Sequence, residues 1–236
     1  MQPGDRIYAI GDIHGRSDLL DKLYAQIRAD AGRALPGHRL VVHLGDYVDR
    51  GPDSRGVIDR VIDPPLPGFE SVALIGNHDW MMRDFLERPV ELGPGWMMNG
   101  AGATFASYGV DPPRFGEGPA GLTRASDALK RALPPSHAAF LGELRPMAAA
   151  PGYLFVHAGI RPGVAQEDQQ FEDLIWIREE FLHSAADHGA IVVHGHTIVD
   201  APELRPNRIG IDTGAYRSGH LTAVVLSHGR PQFLQT

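Results

Sequence analysis

Three times between residues 6 and 87 a short apolar run stops at a Gly-Asp or Gly-Asn pair, and a helix-period segment follows. Arg6 to Ile10 runs into Gly11-Asp12-Ile13-His14-Gly15, Arg39 to Leu44 into Gly45 to Gly51, and Ser71 to Ile75 into Gly76-Asn77-His78-Asp79. After the first turn Leu19, Leu20, Leu23, Tyr24 and Ile27 recur at helical spacing, with Ser17 placed to cap the helix. Further helices are expected from about Ser54 to Ile62 and from Trp80 to about Glu87. Strands that each end in a tight turn and feed a helix are the building units of an α/β fold, because each helix must bury its apolar stripe on the sheet.

The remainder is read in the same way. Ala125 to Leu133 and Ser136 to Leu144 are helix candidates on either side of Pro134-Pro135. Tyr153 to Val156, Ile191 to His194, Arg208 to Ile211, Leu221 to Leu226 and Gln232 to Leu234 have strand character, so the second half is β-rich. Residues 88–123 are rich in Gly and Pro and are expected to form an irregular surface insertion, a lid or substrate-facing segment. With no repeat and no long linker, residues 1–236 are expected to form a single domain.

Composition narrows the chemistry. The chain has no cysteine, which excludes a thiolate nucleophile, a disulfide framework and a Cys-held metal, so any metal must be bound by oxygen and imidazole. A net charge of −7 argues against a general nucleic-acid binder, which needs a clustered basic surface. The longest apolar stretches are strand-sized, well short of the roughly 18 residues a bilayer span requires, so no membrane partner is expected. The first residues lack a basic and apolar leader pattern, and the expected compartment is the cytoplasm.

Five segments concentrate Asp, Asn and His at strand ends: Asp12 with His14, Asp46 with Asp49, Asn77 with His78, His157, and His194 with His196. The carboxyl edge of an α/β sheet is where such loops converge. Two carboxylates, one amide oxygen and three imidazoles suit Mn, Fe or Zn ions. Six donors exceed the needs of one tetrahedral zinc and match two ions about 3.5–4 Å apart that share a carboxylate, an arrangement used to hydrolyse phosphate esters. Such a reaction also needs a cation for the phosphate oxygens and an acid for the leaving oxygen, for which Arg50 and His78 stand close by in sequence.

Gly11-Asp12-Ile13-His14-Gly15, Gly45-Asp46-Tyr47-Val48-Asp49-Arg50-Gly51 and Gly76-Asn77-His78-Asp79 resemble the three signature motifs of PPP-type serine/threonine phosphatases of bacterial and phage type, within the calcineurin-like metallophosphoesterases. His157-Ala158-Gly159 and Gly195-His196-Thr197 match the two later histidine motifs, and Leu174 to Glu179 resembles the stretch that supplies a second phosphate-binding arginine. The resemblance implies two packed mixed β-sheets flanked by helices. It implies that Asp12 and His14 bind one metal ion, that Asp46 bridges, and that Asn77, His157 and His196 bind the second. Arg50 and Arg178 would grip the phosphate, and His78, oriented by Asp49, would protonate the leaving group. A metal-bridging hydroxide would attack directly, with no phosphoenzyme, and the expected partner is a phosphoprotein or phosphopeptide.

Asp79 departs from the eukaryotic pattern, which usually has Glu there. An alternative is a symmetrical dinucleoside-tetraphosphate hydrolase of the same superfamily. That branch usually replaces the first-motif His with Gln and the Asp before the arginine with Ala, whereas this chain has His14 and Asp49. For Arg178 an ion pair with nearby glutamates is the bland reading. His43 and His194 are expected to make supporting hydrogen bonds, and Asp212-Thr213 a supporting turn.

Overall fold

The computed structural model describes residues 2–114 and 116–236. Its strands are β1 (Arg6–Ile10), β2 (Arg39–His43), β3 (Glu70–Ala73), β4 (Met147–Ala150), β5 (Tyr153–Val156), β6 (Ile191–His194), β7 (Glu203–Leu204), β8 (Arg208–Gly210), β9 (Thr222–Leu226) and β10 (Gln232–Gln235). Its α-helices are α1 (Ser17–Arg33), α2 (Ser54–Ile62), α3 (Asn77–Glu87), α4 (Pro89–Met98), α5 (Ala101–Ser107), α6 (Gly118–Ala132), α7 (Pro135–Glu143), α8 (Phe171–Trp176), α9 (Glu179–Leu182) and α10 (Ala215–Ser218).

The strands form two five-stranded mixed sheets, ordered β10-β9-β1-β2-β3 and β4-β5-β6-β8-β7. Each has three parallel strands at its centre or edge, β1-β2-β3 in one and β5-β6-β8 in the other, with antiparallel strands added outside. Alternation along the strands explains the layers. Ile7, Ala9 and Val42 point to one face and pack with Phe155, Val193, Ile209 and Val224, so the two sheets bury an apolar layer between them. Tyr8, Ile10 and Val41 point the other way into a larger core with Leu20, Leu23, Ile27, Val57 and Phe85 of the helices. The expected sandwich with helical layers is the architecture found.

Register sets the level of the functional turns. Ile10 pairs with His43 and His43 with Ala73, so the three parallel strands of the first sheet stop together. In the second sheet Phe155 pairs with Val193 and His194 with Gly210. The carboxyl ends of both parallel sets open on one rim.

Two expectations are corrected. Residues 88–123 are largely helical rather than irregular: α4, α5 and the start of α6 occupy most of them, with residues 108–114 lying outside any helix. Pro89 stands in the first turn of α4 and Pro119 in that of α6, where a missing N–H costs nothing. Burial of Trp96, Ala101, Thr104 and Phe105 then holds the helices against the core despite the glycines. Ser17 does not cap α1, which lacks a side-chain cap; its hydroxyl donates instead to Asp53 (2.6 Å), and Asp53 in turn caps α2 by accepting from Gly56 N. Among the described residues no helix is long and apolar enough to cross a membrane.

Candidate metal centre

Each sequence-predicted donor stands just beyond a parallel strand. Asp12 and His14 follow β1, Asp46 follows β2, Asn77 and His78 open α3 after β3, His157 follows β5, and His196 follows β6. Among the described residues five non-glycine residues have positive φ: His14 (45°), Asp46 (53°), Asp49 (73°), Arg50 (67°) and His196 (61°). All five belong to the predicted site. A left-handed backbone is costly for such side chains, and its concentration on one rim marks turns bent to aim side chains inward. Close approach does the rest: a Cβ at Gly195 would collide with Asp12 Oδ1, and one at Gly76 with Asp46 Oδ1.

The side chains form two clusters around Asp46. In one, His14 Nε2 lies 3.4 Å and His78 Nε2 4.0 Å from Asp46 Oδ2. In the other, Asp46 Oδ1 lies 3.5 Å from His157 Nε2, which is 3.0 Å from Asn77 Oδ1 and 3.2 Å from His196 Nδ1; Asn77 Oδ1 and His196 Nδ1 are 2.9 Å apart. Backbone carbonyls set the imidazole tautomers. His14 Nδ1 donates to Val48 O (2.7 Å) and His157 Nδ1 to Leu44 O (2.9 Å), which leaves both Nε2 lone pairs facing Asp46.

This donor set fits metal ions. Ligand bonds of about 2.1 Å place neighbouring donors about 3.0–3.4 Å apart, the spacing found in the Asn77-His157-His196 cluster. Burial lowers His14 to about 3 and also lowers His157 and His196, so the imidazoles are neutral and available as donors. Although burial opposes it, Asp46 is held below the usual carboxylate range by the protonated His78 ring beside it and by the His78 backbone N–H, which donates to Oδ1 (3.0 Å).

Asp12 stands apart from both tight clusters, its two oxygens accepting from His196 N at 3.1 Å. Burial, then Asp212 and Asp46, raise it well above the ordinary range. Three buried carboxylates so placed call for a countercharge.

The predicted acid and arginines surround this centre. His78 Nδ1 bonds Asp49 Oδ2 (2.7 Å), which directs Nε2 toward Asp46. Against the effect of burial, Asp46 and Asp49 raise His78, favouring the protonated ring. Arg50 reaches His14 Nε2 with Nη1 (2.7 Å) and lies over the Tyr216 ring, 5.0 Å from its centroid. Arg178 is exposed, donates to Thr197 Oγ1 (3.2 Å), and has no carboxylate within 4.0 Å among the described residues. The bland ion-pair reading fails because Glu180 is taken by Arg161 and Glu179 by His183. His43 and His194 make supporting bonds, to Tyr24 OH and Gly195 O, and Asp212 accepts from Gly214 N within its turn.

Three residues at the centre carry no assignment from sequence. Asp79 accepts from Asp46 N (2.7 Å), Tyr47 N (2.9 Å) and Gly76 N (2.9 Å), tying the β2 turn to the start of α3. Its position at the third residue of a helix is a recognisable capping signal, although the reach to residues 46 and 47 is not. Trp96 Nε1 and Thr104 Oγ1 both donate to Asp49, from helices that the sequence does not announce.

A sequence profile of the calcineurin-like phosphoesterase family matches residues 5–228. The chain is 28% identical over 233 residues to the bis(5'-nucleosyl)-tetraphosphatase PrpE [asymmetrical] of Bacillus thuringiensis (strain Al Hakam), covering 91% of this chain and 88% of that protein. It is 29% identical over 223 residues to serine/threonine-protein phosphatase 1 of Salmonella typhimurium (strain LT2), covering 92% and 89%. The nucleotide-hydrolysing relative is named for the asymmetrical reaction, whereas the alternative read from the sequence is the symmetrical branch. Among solved structures, the cold-active protein-tyrosine phosphatase of a psychrophilic Shewanella superposes with a TM-score of 0.66 at 15% identity, covering 100% of this chain and 82% of that one, a likeness of fold alone.

Proposed function

The chain belongs to the calcineurin-like phosphoesterase family, and within it we propose a dinuclear metal-dependent phosphatase that hydrolyses phosphomonoesters, with phosphoserine and phosphothreonine in proteins as the substrate class. The observation that carries this reading is the buried Asp49–His78 pair beside Asp46, because an acid so placed serves a poor alkoxide leaving group. Asp12, His14 and Asp46 would hold one ion, and Asp46, Asn77, His157 and His196 the other. When bound, the pair supplies Lewis-acid polarisation of the phosphate and water activated at neutral pH.

The chain's own side chains perform the remaining tasks. Arg50 and Arg178 are the exposed cations beside the donors and bind the non-bridging oxygens, offsetting their charge. Asp49 accepts the Nδ1 proton of His78 and so fixes the other proton on Nε2, facing the site, where it passes to the leaving oxygen. Cleavage of the ester P–O bond consumes one water, whose oxygen joins phosphorus, and releases an alcohol that carries the His78 proton together with inorganic phosphate, with His78 reprotonated from solvent.

A second reading, hydrolysis of a dinucleoside tetraphosphate, is favoured by the similar identity of the chain to relatives of each name. Purified protein loaded with Mn²⁺ and assayed side by side on a phosphoserine peptide, p-nitrophenyl phosphate and a dinucleoside tetraphosphate separates the two. The proposal expects the phosphopeptide to have the highest kcat/KM. A dinucleoside tetraphosphate turned over more efficiently than the peptide refutes it.

A further inference from the structure

We propose that Trp96 and Thr104 are positioning residues for His78, acting through Asp49, so that the α4–α5 layer governs how well the enzyme expels a poor leaving group. The inference rests on the reading of His78 as the proton donor.

Asp49 is fully buried, and its carboxylate accepts three side-chain donors. His78 Nδ1 (2.7 Å) and Trp96 Nε1 (2.8 Å) share Oδ2, while Thr104 Oγ1 (2.6 Å) donates to Oδ1. Thr104 has one hydroxyl proton and gives it to Oδ1. Its lone pair therefore receives Asp49 N–H (2.9 Å), which closes a ring between backbone and side chain. Ser54 Oγ lies 3.1 Å from the same N–H and 3.0 Å from Thr104 Oγ1.

The indole N–H can only donate, so it marks Asp49 as an acceptor on the oxygen that also holds the imidazole. Trp96 itself is immobilised, fully buried with ring centroids 4.9 Å from Phe85 and 5.4 Å from Phe105. Asp49 has a left-handed φ of 73°, a conformation that needs outside restraint, and Thr104 provides it on both backbone and side chain. Remove either donor and the carboxylate gains freedom to turn, taking the His78 ring with it. Apart from Asn77 at the start of α3, the donors of the metal centre follow strands of the two sheets, and among the described residues neither α4 nor α5 gives any of them a hydrogen bond.

Three variants test this. Trp96→Phe removes the indole N–H, Thr104→Val removes the hydroxyl at nearly constant shape, and Thr104→Ser keeps a hydroxyl. Expected for Trp96→Phe and Thr104→Val is a fall in kcat on a phosphoserine peptide of about 10- to 100-fold, with KM within about 2-fold. On p-nitrophenyl phosphate, whose phenolate leaves with little protonation, the fall is less than about 3-fold. Thr104→Ser restores the peptide rate. In metal-free protein the His78 Nδ1–H proton resonance, assigned by its absence from His78→Asn, moves in the first two variants and stays in place in Thr104→Ser.

Equal losses on both substrates, or an unmoved resonance, overturn the inference. If Trp96→Phe does not fold, the Thr104 pair decides alone. His78→Asn separates the layers of the argument: if it shows no leaving-group dependence, the reading of His78 as acid fails. If it does and Trp96→Phe and Thr104→Val do not, only the role of the supporting helices fails.

Discussion

Replacing Asp79 by Asn exchanges one oxygen for an NH₂ in a group that accepts three backbone N–H bonds, from Asp46 (2.7 Å) and Gly76 (2.9 Å) on Oδ2 and from Tyr47 (2.9 Å) on Oδ1. In its better orientation the amide keeps its oxygen at the Oδ2 position and two of the bonds. The NH₂ then faces Tyr47 N–H, so one bond is lost and two donors oppose each other inside a fully buried site. A buried donor left without a partner costs about 1–3 kcal/mol beyond the roughly 1 kcal/mol of the bond itself, and because burial and then Asp46 raise Asp79 to about 8, the loss of charge adds little near neutral pH. The expected cost is about 2–4 kcal/mol of stability in metal-free protein, read from urea denaturation. Backbone relaxation at residue 46 also displaces a carboxylate shared by both donor clusters, so Mn²⁺ affinity by calorimetric titration falls about 10- to 100-fold. A variant within about 0.5 kcal/mol of wild type and with unchanged Mn²⁺ affinity refutes the claim that Asp79 holds the turn.

His78→Ala is expected to retain both metal equivalents while kcat on the phosphoserine peptide drops about 10²- to 10⁴-fold, and a change confined to KM contradicts the assignment. Asp46→Asn weakens the carboxylate that both clusters share and should leave the purified protein depleted of metal; two full equivalents by elemental analysis argue against bridging. Burial lowers His43 to about 4, so the native ring stays neutral where the unfolded one, near 6.5, has charged. Its stabilisation is therefore complete above about pH 6.5 and is lost as pH falls toward 4, at about 1.4 kcal/mol per pH unit. His43→Gln should flatten that part of the pH dependence by this slope in metal-free protein, and parallel curves for variant and wild type count against the buried neutral ring.

The strand-turn-helix recurrences are legible because their signals are local. Apolar runs, Gly-Asp turns and the Leu19 to Ile27 spacing each lie within one element, and parallel strands in register then carry Asp46, Asn77, His157 and His196 to one rim. What escaped the sequence is tertiary. The Gly and Pro content of residues 88–123 reads as loop, yet Pro89 and Pro119 stand at helix starts and Trp96 gains its helix from being buried. Nothing near Thr104 predicts a bond to Asp49, 55 positions earlier. The separation of Asp12 from the two tight clusters is likewise a matter of how His196 N approaches its carboxylate, which no spacing encodes.

The rim also determines how one sheet sits upon the other. The layer between them is apolar, built from Ile7, Ala9, Val193, Ile209 and their neighbours, and such contacts tolerate small sliding because they have no preferred direction. At the carboxyl edge the joint changes character: His157 Nδ1 reaches across to Leu44 O, and His196 N reaches across to Asp12. These directional bonds act as dowels that peg two otherwise slippery plates at a single alignment. A lineage descended from this chain could therefore repack the greasy interior freely, whereas loosening the pegs would spoil alignment and chemistry in the same stroke.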